Sequence, residues 1–246
     1  MVVHLYSSCY NEEVLMPYFL RHYSCFVDKI FIFDNHSNDS TPRIVDSFPK
    51  TERAVYGNPN FYYERDLINF KNEAYKNSRG VADWVIVVDV DEFIYHKNLI
   101  SILRMYKERH ITFPKISGYD MVGFDYPKSD APLYEIINEG VPSSLYCKRA
   151  VFDPRIDINY IPGAHKCNPK GKILENNTAE IKLLHYRYLC KDFFIKNIKK
   201  RMSRISEENI KRGWGLIKPK DGKTLDEWGS EQYENARQRA VKVLSG

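Results

Sequence analysis

The residues with the clearest chemical potential form an acidic cluster, Asp89-Val90-Asp91-Glu92, directly after the apolar run 84–88. An Asp-x-Asp pair at a strand end places both carboxylates on one side of the chain, with Cα atoms about 7 Å apart. Ionised carboxylates this close repel each other unless a cation neutralises them. Mg²⁺ and Mn²⁺ favour oxygen ligands and usually share them with substrate phosphates. The cluster therefore predicts a divalent-metal site that stabilises a leaving diphosphate, with helix capping as the alternative.

Two further polar loops follow apolar strands and are expected beside the acidic cluster. The first loop spans 7–13 after the strand predicted at 2–6, and the second spans 34–41 after the strand predicted at 29–33. In an open parallel sheet, ligands bind beyond the carboxyl ends of the strands. All three loops are therefore predicted to open onto one edge of a single sheet.

The elements that must position these loops alternate between strand and helix. The pattern predicts β-α-β-α-β-α-β, and hence a mostly parallel central sheet flanked by helices. The remaining elements are predicted as a helix at 12–23, a helix starting at Pro42, a strand at 53–56, a helix at 64–77, the strand 84–88 and a helix at 98–108. The fold class is accordingly α/β.

The second half of the chain has a different character. Residues 112–182 are rich in Pro, Gly and Tyr, which predicts irregular structure and antiparallel strands. Helix is predicted again from His185 onward, with a last helix at 227–244. The helix after His185 carries one apolar face, formed by Phe194, Ile198, Met202 and Ile205.

The net charge of +5 is concentrated in one segment. Residues 191–212 contain eight basic and three acidic side chains, so the rest of the chain is neutral. This segment predicts an anionic partner such as substrate phosphates or a membrane surface, or else a solvated helix face. Nucleic acid is not expected, because the acidic cluster would repel its phosphates. The apolar face with its flanking lysines suggests peripheral membrane contact, or simply packing against the sheet.

The cysteine pattern and the hydropathy of the sequence indicate the cellular compartment. The five cysteines are scattered and form no C-x-x-C pair, so reduced thiols are expected rather than a disulfide framework or a zinc site. No apolar run has the length needed to span a bilayer, and the N-terminus lacks a signal pattern. The resulting expectation is a cytoplasmic protein, with peripheral membrane contact as the alternative.

Three segments together resemble glycosyltransferases of the GT-A (nucleotide-diphospho-sugar transferase) fold, in particular family-2-like and family-92-like enzymes. Asn11-Glu12-Glu13 with Tyr18-Phe19-Leu20 is similar to the opening pattern of these enzymes. The segment Phe31-Ile32-Phe33-Asp34-Asn35-His36-Ser37-Asn38-Asp39-Ser40-Thr41 is similar to "YIYDNGSTDGT", with His36 where the family usually has glycine. Trp84-Val85-Ile86-Val87-Val88-Asp89-Val90-Asp91-Glu92-Phe93 is similar to "WV.FIDVDEF". A weaker match, Leu184-His185-Tyr186-Arg187 followed by Lys191 and Lys196, lies in the second half.

The resemblance implies a donor site for a UDP- or GDP-sugar with Mn²⁺ or Mg²⁺. It implies that Asn11, Glu12 and Asp34 line the nucleoside pocket, and we add Ser8 from the same loop. Asp89 would contact the ribose side and Asp91 the metal, with His185 touching the metal or the diphosphate. The donor-binding candidates are completed by Lys191 and Lys196 near the phosphates and by Arg65 and Asn72 on the preceding helix.

The catalytic base is expected in the acceptor half. Inverting members of this superfamily use an Asp or Glu to deprotonate the acceptor hydroxyl, which requires hydrogen-bond reach. Asp125 is the first candidate and Asp120 the second, although both are also typical turn-capping residues. His165 is a candidate contact to the acceptor or to the donor sugar, or an ordinary hydrogen-bonded histidine.

The chain is therefore predicted to be one catalytic domain, 1–246. It divides into a nucleotide-sugar half (1–110), an acceptor half (111–190) and a basic helical segment (191–246). The predicted activity is metal-assisted, inverting transfer of a sugar to a hydroxyl of a glycan or a lipid-linked glycan. Three alternatives remain: a haloacid-dehalogenase-like phosphohydrolase, a nucleotidyltransferase, and a non-catalytic polysaccharide- or nucleic-acid-binding protein. The first fits poorly because Phe93 replaces the usual Thr or Val, and the second because residues 7–13 contain no glycine or basic residue.

Overall fold

The computed structural model describes residues 1–244, and within that range two five-stranded sheets combine with eight α-helices. The strands are β1 Val3–Cys9, β2 Lys29–Asp34, β3 Thr51–Val55, β4 Trp84–Asp89, β5 Glu92–Tyr95, β6 Ile116–Val122, β7 Glu139–Pro142, β8 Val151–Phe152, β9 Ile181–Tyr188 and β10 Val241–Lys242. The helices are α1 Met16–Ser24, α2 Thr41–Asp46, α3 Glu64–Glu73, α4 Leu99–Glu108, α5 Leu133–Ile136, α6 Lys191–Ser203, α7 Glu207–Arg212 and α8 Leu225–Arg239.

The first sheet has the order β3-β2-β1-β4-β8 and confirms the predicted α/β class. Its first four strands are parallel, and only β8 runs antiparallel to its neighbour. The inner strands β1 and β4 are buried on both faces, and the continuous apolar sequence of β4 is typical of such a strand. Helices α1 and α2 cover one face and α3 the other.

The register of this sheet brings the three polar loops to one edge, as predicted. Cys9 lies opposite Asp34, and Ser8 lies opposite Asp89. The strand β1 continues three residues beyond its predicted end, because Ser7 to Cys9 pair with β2 on one side and Ser7 and Ser8 pair with β4 on the other. The first polar loop is therefore shorter than expected.

The second sheet has the order β10-β7-β6-β9-β5 and includes one element that was predicted wrongly. His185 does not start a helix but lies within β9, which pairs antiparallel with β5 and parallel with β6. The reason is that β9 is a largely buried central strand whose apolar residues alternate poorly with polar ones. The following helix, α6, begins only at Lys191.

The C-terminal helices pack onto the second sheet. Phe194 and Ile198 of α6 form a buried cluster with Tyr233 and Ala236 of α8, and Met202 packs against it. A capping box at Thr224 and Glu227 begins α8, which ends at Arg239 rather than at 244. The apolar face considered for membrane contact is thus used mainly inside the protein. The last two residues of the predicted basic segment lie outside the described residues.

The length and polarity of the helices bear on membrane insertion. Within residues 1–244, every helix is too short or too polar to cross a bilayer.

Candidate active site

A cavity of about 290 Å³ opens at the carboxyl edge of the first sheet. Both halves of the chain and the basic segment contribute to it. Its polar lining includes Ser8, Glu12, Asn35, Glu64, Lys71, Asp89, Asp91, Glu92, His165, His185, Lys200, Arg201 and Arg204. The topological position agrees with the general rule that ligands bind beyond strand carboxyl ends.

Asp89, the first acid of the cluster, is paired with two buried lysines. Lys71 of α3 lies 2.7 Å from one carboxylate oxygen, and Lys148 lies 3.6 Å from the other. Burial opposes ionisation of Asp89, but these two ammonium groups hold its pKa well below the usual range. Asp89 is therefore ionised and neutralised by the protein itself.

Glu92 is buried beneath the cavity and is fully engaged. One carboxylate oxygen lies 2.5 Å from Lys148 Nζ, and the other accepts a hydrogen bond of 2.9 Å from the Asp89 amide. Burial raises the pKa of Glu92, and Lys148 opposes that rise. Sequence analysis did not assign a role to Glu92 or to Lys148.

Asp91, the second acid, faces a histidine that links it to the second sheet. His185 of β9 contacts Asp91 through Nε2 at 3.1 Å and Asp120 of β6 through Nδ1 at 2.7 Å. Although burial favours neutral imidazole, the two carboxylates raise the pKa of His185 to about 9. Tyr146 stacks on the imidazole with a centroid distance of 3.7 Å and fixes its plane. Asp120 therefore orients His185 from outside the cavity lining.

Potential metal-ligand atoms of Asp91, Glu92 and His185 lie within 4.8 Å of one another. Of these, Asp91 offers a carboxylate that is not already shared with a lysine, and carboxylate oxygens suit Mg²⁺ and Mn²⁺. The predicted set was Asp91, Asp89 and His185. Two of these residues come together here, whereas Asp89 is outside the group because its oxygens face the two lysines.

The basic residues that reach the cavity are not the two that were predicted. Lys200 of α6 approaches Glu12 at 2.9 Å and the Asn11 carbonyl at 2.7 Å, and Arg201 and Arg204 follow it. Lys191 instead lies 3.8 Å from Glu234 of α8, and Lys196 is exposed outside the cavity lining. The start of α6 is directed toward α8, so only its last turn reaches the site.

Three tyrosines line one part of the cavity wall. Tyr10, Tyr56 and Tyr62 contribute to the wall, and the guanidinium of Arg204 lies 3.6 Å from the Tyr10 ring centroid. Arg204 also donates to the carbonyl oxygens of Asn58 and Pro59, so it holds the end of α6 against this wall. Aromatic and amide groups in this arrangement suit a flat nucleobase.

Glu12 lies beside Lys200 in the cavity lining. Burial raises its pKa to about 7, while Lys200 opposes the rise. Ser8 and Glu12 were both predicted donor contacts, and both line the cavity.

The other predicted donor contacts have structural partners instead. Asn11 is paired with Asn38 through its side chain, and Asp34 is buried against the Ser37 amide and Arg53. Asn11 joins the first two loops, Asp34 joins the second loop to β3, and neither residue lines the cavity. Arg65 is exposed and lies 3.3 Å from Glu208.

Asn72 is also outside the lining. Its side-chain amide pairs with both backbone groups of Tyr160, accepting at 2.7 Å and donating at 3.1 Å. This pairing ties α3 to the chain segment that leads to His165.

Of the predicted catalytic residues, only His165 lines the cavity. Burial, followed by Lys148, lowers the pKa of His165 to about 4, so it is neutral at physiological pH. Asp120 contacts His185 as described, whereas Asp125 is exposed on a different surface, beside Tyr126 and Asn138. Asp125 is not brought to the site because the chain turns outward after β6.

No family model and no curated protein matches the sequence. Among solved structures, S. aureus TarS 1–349 aligns with a TM-score of 0.46 and 14% identity over 96% of this chain and 71% of that chain. TarS 1–349 in complex with UDP-GlcNAc gives a TM-score of 0.47 and 13% identity over 96% and 72%. Glucosyl-3-phosphoglycerate synthase from Mycobacterium tuberculosis, in complex with phosphoglyceric acid, gives 0.34 and 14% over 48% and 44%. These scores and identities are low, so the site geometry is the basis for a function.

Several cavity residues were missed by sequence analysis. Lys71 and Lys148 come from distant positions, and no local pattern marks a lysine as the partner of an aspartate elsewhere in the chain. Glu64 was also missed, although its carboxylate accepts hydrogen bonds from the Tyr62 hydroxyl and from the Gly163 amide. Lys200, Arg201 and Arg204 lie in the basic segment, and their spacing places them on adjoining faces at the end of α6. That spacing was the one available signal.

Proposed function

We propose that this protein is a GT-A-like glycosyltransferase that moves a sugar from a nucleotide-diphosphate donor to a hydroxyl acceptor. One observation carries the proposal. A single cavity joins an acidic, histidine-containing group to the cationic end of α6 and to a tyrosine-lined wall. These three parts match a metal, a diphosphate and a nucleobase, respectively.

The diphosphate is the part of the donor that this chain is best equipped to bind. Lys200 and Arg201 supply charge-assisted donors, which are stronger than neutral ones. Held by these groups, the diphosphate lies between α6 and the acidic cluster. Tyr10, Tyr56 and Tyr62 then accept the nucleobase of a UDP- or GDP-sugar.

Asp91 would hold a divalent cation, Mn²⁺ or Mg²⁺, at the diphosphate, and His185 would join it as a neutral imidazole after releasing its proton to solvent. When bound, the cation stabilises the negative charge that develops on the leaving nucleotide diphosphate. His185 is kept in place for this role by the Asp120 carboxylate and the Tyr146 ring.

The acceptor is proposed to be a glycan or lipid-linked glycan hydroxyl that attacks with inversion. Deprotonation needs a carboxylate within reach of that hydroxyl. Of the two predicted bases, Asp120 adjoins the site through His185, whereas Asp125 lies on another surface. Asp120 lies outside the cavity lining and acts by positioning His185, so we assign it a positioning role and place His165 at the sugar. Asp120→Asn should weaken transfer through the loss of His185 orientation, and Asp125→Asn should leave transfer unchanged.

The alternatives gain no support from the geometry. A phosphohydrolase would need Asp89 as a free nucleophile, yet both of its oxygens face lysine ammonium groups. A non-catalytic polysaccharide- or nucleic-acid-binding role would use the basic segment as an open surface. Instead, Lys200 and Arg204 point into the cavity and its wall.

Calorimetric titration of UDP and GDP, with and without Mn²⁺, tests the proposal on the wild type, Asp91→Asn and Asp125→Asn. The expected result is metal-dependent binding of one nucleotide, weakened at least about 30-fold in Asp91→Asn, which corresponds to about 2 kcal/mol. Asp125→Asn serves as the matched control, because it removes an exposed carboxylate outside the cavity. Absence of binding by either nucleotide in the presence of Mn²⁺ would refute the proposal.

A further inference from the structure

We propose that Lys148 keeps Glu92 out of the metal's coordination set, so that a divalent cation binds firmly only together with a nucleotide diphosphate. The part of the inference that concerns the nucleotide diphosphate rests on the proposed function. The part that concerns the binding of the cation alone depends only on the residues of this chain.

Lys148 is held in position by backbone contacts and is almost completely buried. It lies on the segment before β8, where the Ala150 amide donates to the Lys148 carbonyl and the Ala150 carbonyl accepts from Val87 of β4. Its side chain is 3% exposed. The ammonium group reaches Glu92 at 2.5 Å and Asp89 at 3.6 Å.

Together, four groups form a closed set of charges. Lys71 and Lys148 supply two positive charges, and Asp89 and Glu92 supply two negative charges. The Glu92 oxygens are already shared between Lys148 and the Asp89 amide. Removing one partner from a buried ion pair leaves an uncompensated charge and is strongly unfavourable. A cation that took Glu92 as a ligand would leave Lys148 buried beside a second positive charge.

Asp91 is outside this closed set. One of its oxygens contacts His185, and its side chain is 28% exposed to the cavity, compared with 1% for Glu92. The protein thus offers a cation one accessible carboxylate and one imidazole. Hard divalent cations bound in this way complete their coordination with substrate phosphates and water. Mn²⁺ alone should therefore bind weakly, and the diphosphate should strengthen its binding at least tenfold.

The decisive comparison is Mn²⁺ alone, titrated into the wild type, Lys148→Met and Lys196→Met. Free Mn²⁺ is followed by electron paramagnetic resonance. Lys148→Met frees a Glu92 oxygen and should tighten Mn²⁺ at least tenfold. Lys196→Met is the control, since it removes one positive charge from an exposed position outside the cavity lining. It should change the affinity less than threefold.

The double variant Lys148→Met/Glu92→Gln assigns the gain to Glu92. Its Mn²⁺ affinity should return to within threefold of the wild type. Equal tightening in Lys148→Met and Lys196→Met would overturn the inference, because the gain would then be a general effect of charge. An unchanged Lys148→Met would overturn it directly.

A folding defect in Lys148→Met would still leave the double variant Lys148→Met/Glu92→Gln as a decisive test, because it removes both charges of the buried pair. If Glu92 is not a ligand, this variant should bind Mn²⁺ within threefold of the wild type. A tenfold loss would overturn the inference. A wild type that binds neither UDP nor GDP would refute the proposed function, while the comparison with Mn²⁺ alone would continue to decide the role of Lys148.

Discussion

Lys196 and Lys200 stand one turn apart on α6, but only Lys200 lines the cavity. A charge-assisted contact to a phosphate is worth about 1.5–3 kcal/mol. Lys200→Met should therefore weaken nucleotide-diphosphate binding about 10- to 100-fold. Lys196→Met removes the same charge from the same helix and should change the affinity less than twofold. Titration calorimetry at two salt concentrations measures both, and an equal loss in the two variants would show a diffuse electrostatic effect instead.

The contrast between Lys196 and Lys200 shows which residues of the site could be predicted from the sequence and which could not. Glu12 and Asp91 were candidates because they belong to motifs next to strand ends, and His185 was a candidate through the weaker family match; all three line the cavity. Lys191 and Lys196 were candidates through the same weaker match, and the direction in which α6 leaves β9 cannot be read from spacing. Lys148 meets Glu92 only after the chain has folded, so no local pattern could reveal that pair.

Asn72 gives a second residue-scale prediction, with a structural rather than a binding role. Asn72→Ala leaves the amide and carbonyl of Tyr160 without partners. Unpaired buried groups cost about 1–3 kcal/mol each, so the free energy of unfolding should fall by about 2–4 kcal/mol. Asn69→Ala, at an exposed position of the same helix, should change it by less than about 0.5 kcal/mol. Urea denaturation compares them, and equal stability of the two variants would contradict the assigned contact.

At the scale of elements, α1 carries a histidine that makes the fold sensitive to acid. His22 packs between Tyr23 and Phe93 and contacts the Ile94 carbonyl through Nε2 at 3.0 Å. Burial lowers its pKa to about 4 from 6.5. The unfolded chain therefore binds this proton at a higher pH than the folded chain does. The resulting contribution to stability is full above pH 6.5 and is lost as the pH falls from 6.5 toward 4.

His22→Gln removes this titration while keeping a donor for the carbonyl. Between pH 7 and pH 4, the wild type should lose about 2–4 kcal/mol more stability than His22→Gln. His110→Gln is the control, because His110 is exposed and its variant should follow the wild type. Urea unfolding across that pH range measures the difference. Parallel pH profiles for all three proteins would rule out a role for His22.

The elements themselves were predictable where the local pattern and the tertiary setting agree. The strands β2 and β4 and the helix α2 appear where apolar runs and a proline after Ser40-Thr41 predict them. The strand β9 was predicted as helix because a central strand buried on both faces loses the alternation that marks a strand. Its neighbours, β5 and β6, come from distant parts of the chain and decide the outcome.

For the whole molecule, the buried contact between the second sheet and the C-terminal helices leads us to propose that the chain unfolds as one unit. Tyr233 of α8 is 3% exposed and donates a hydrogen bond of 2.6 Å to the Gly123 carbonyl, which follows β6. It also shares a cluster with Val122 and Phe194. Buried side-chain contacts therefore join the basic segment to the acceptor half, in addition to the covalent connection along the chain.

Tyr233→Ala tests this unity, because a buried aromatic replaced by alanine costs about 3–5 kcal/mol. In a chain of this size, such a loss lowers the Tm by about 6–15 °C. If the chain is one unit, calorimetry shows a single transition that moves as a whole, and circular dichroism and tryptophan fluorescence move with it. Tyr233→Phe loses only the hydrogen bond and should shift the same transition by about 1 kcal/mol. A separate, early transition in Tyr233→Ala, with nucleotide binding retained above it, would instead show that the C-terminal helices fold independently and that α6 reaches the cavity without them.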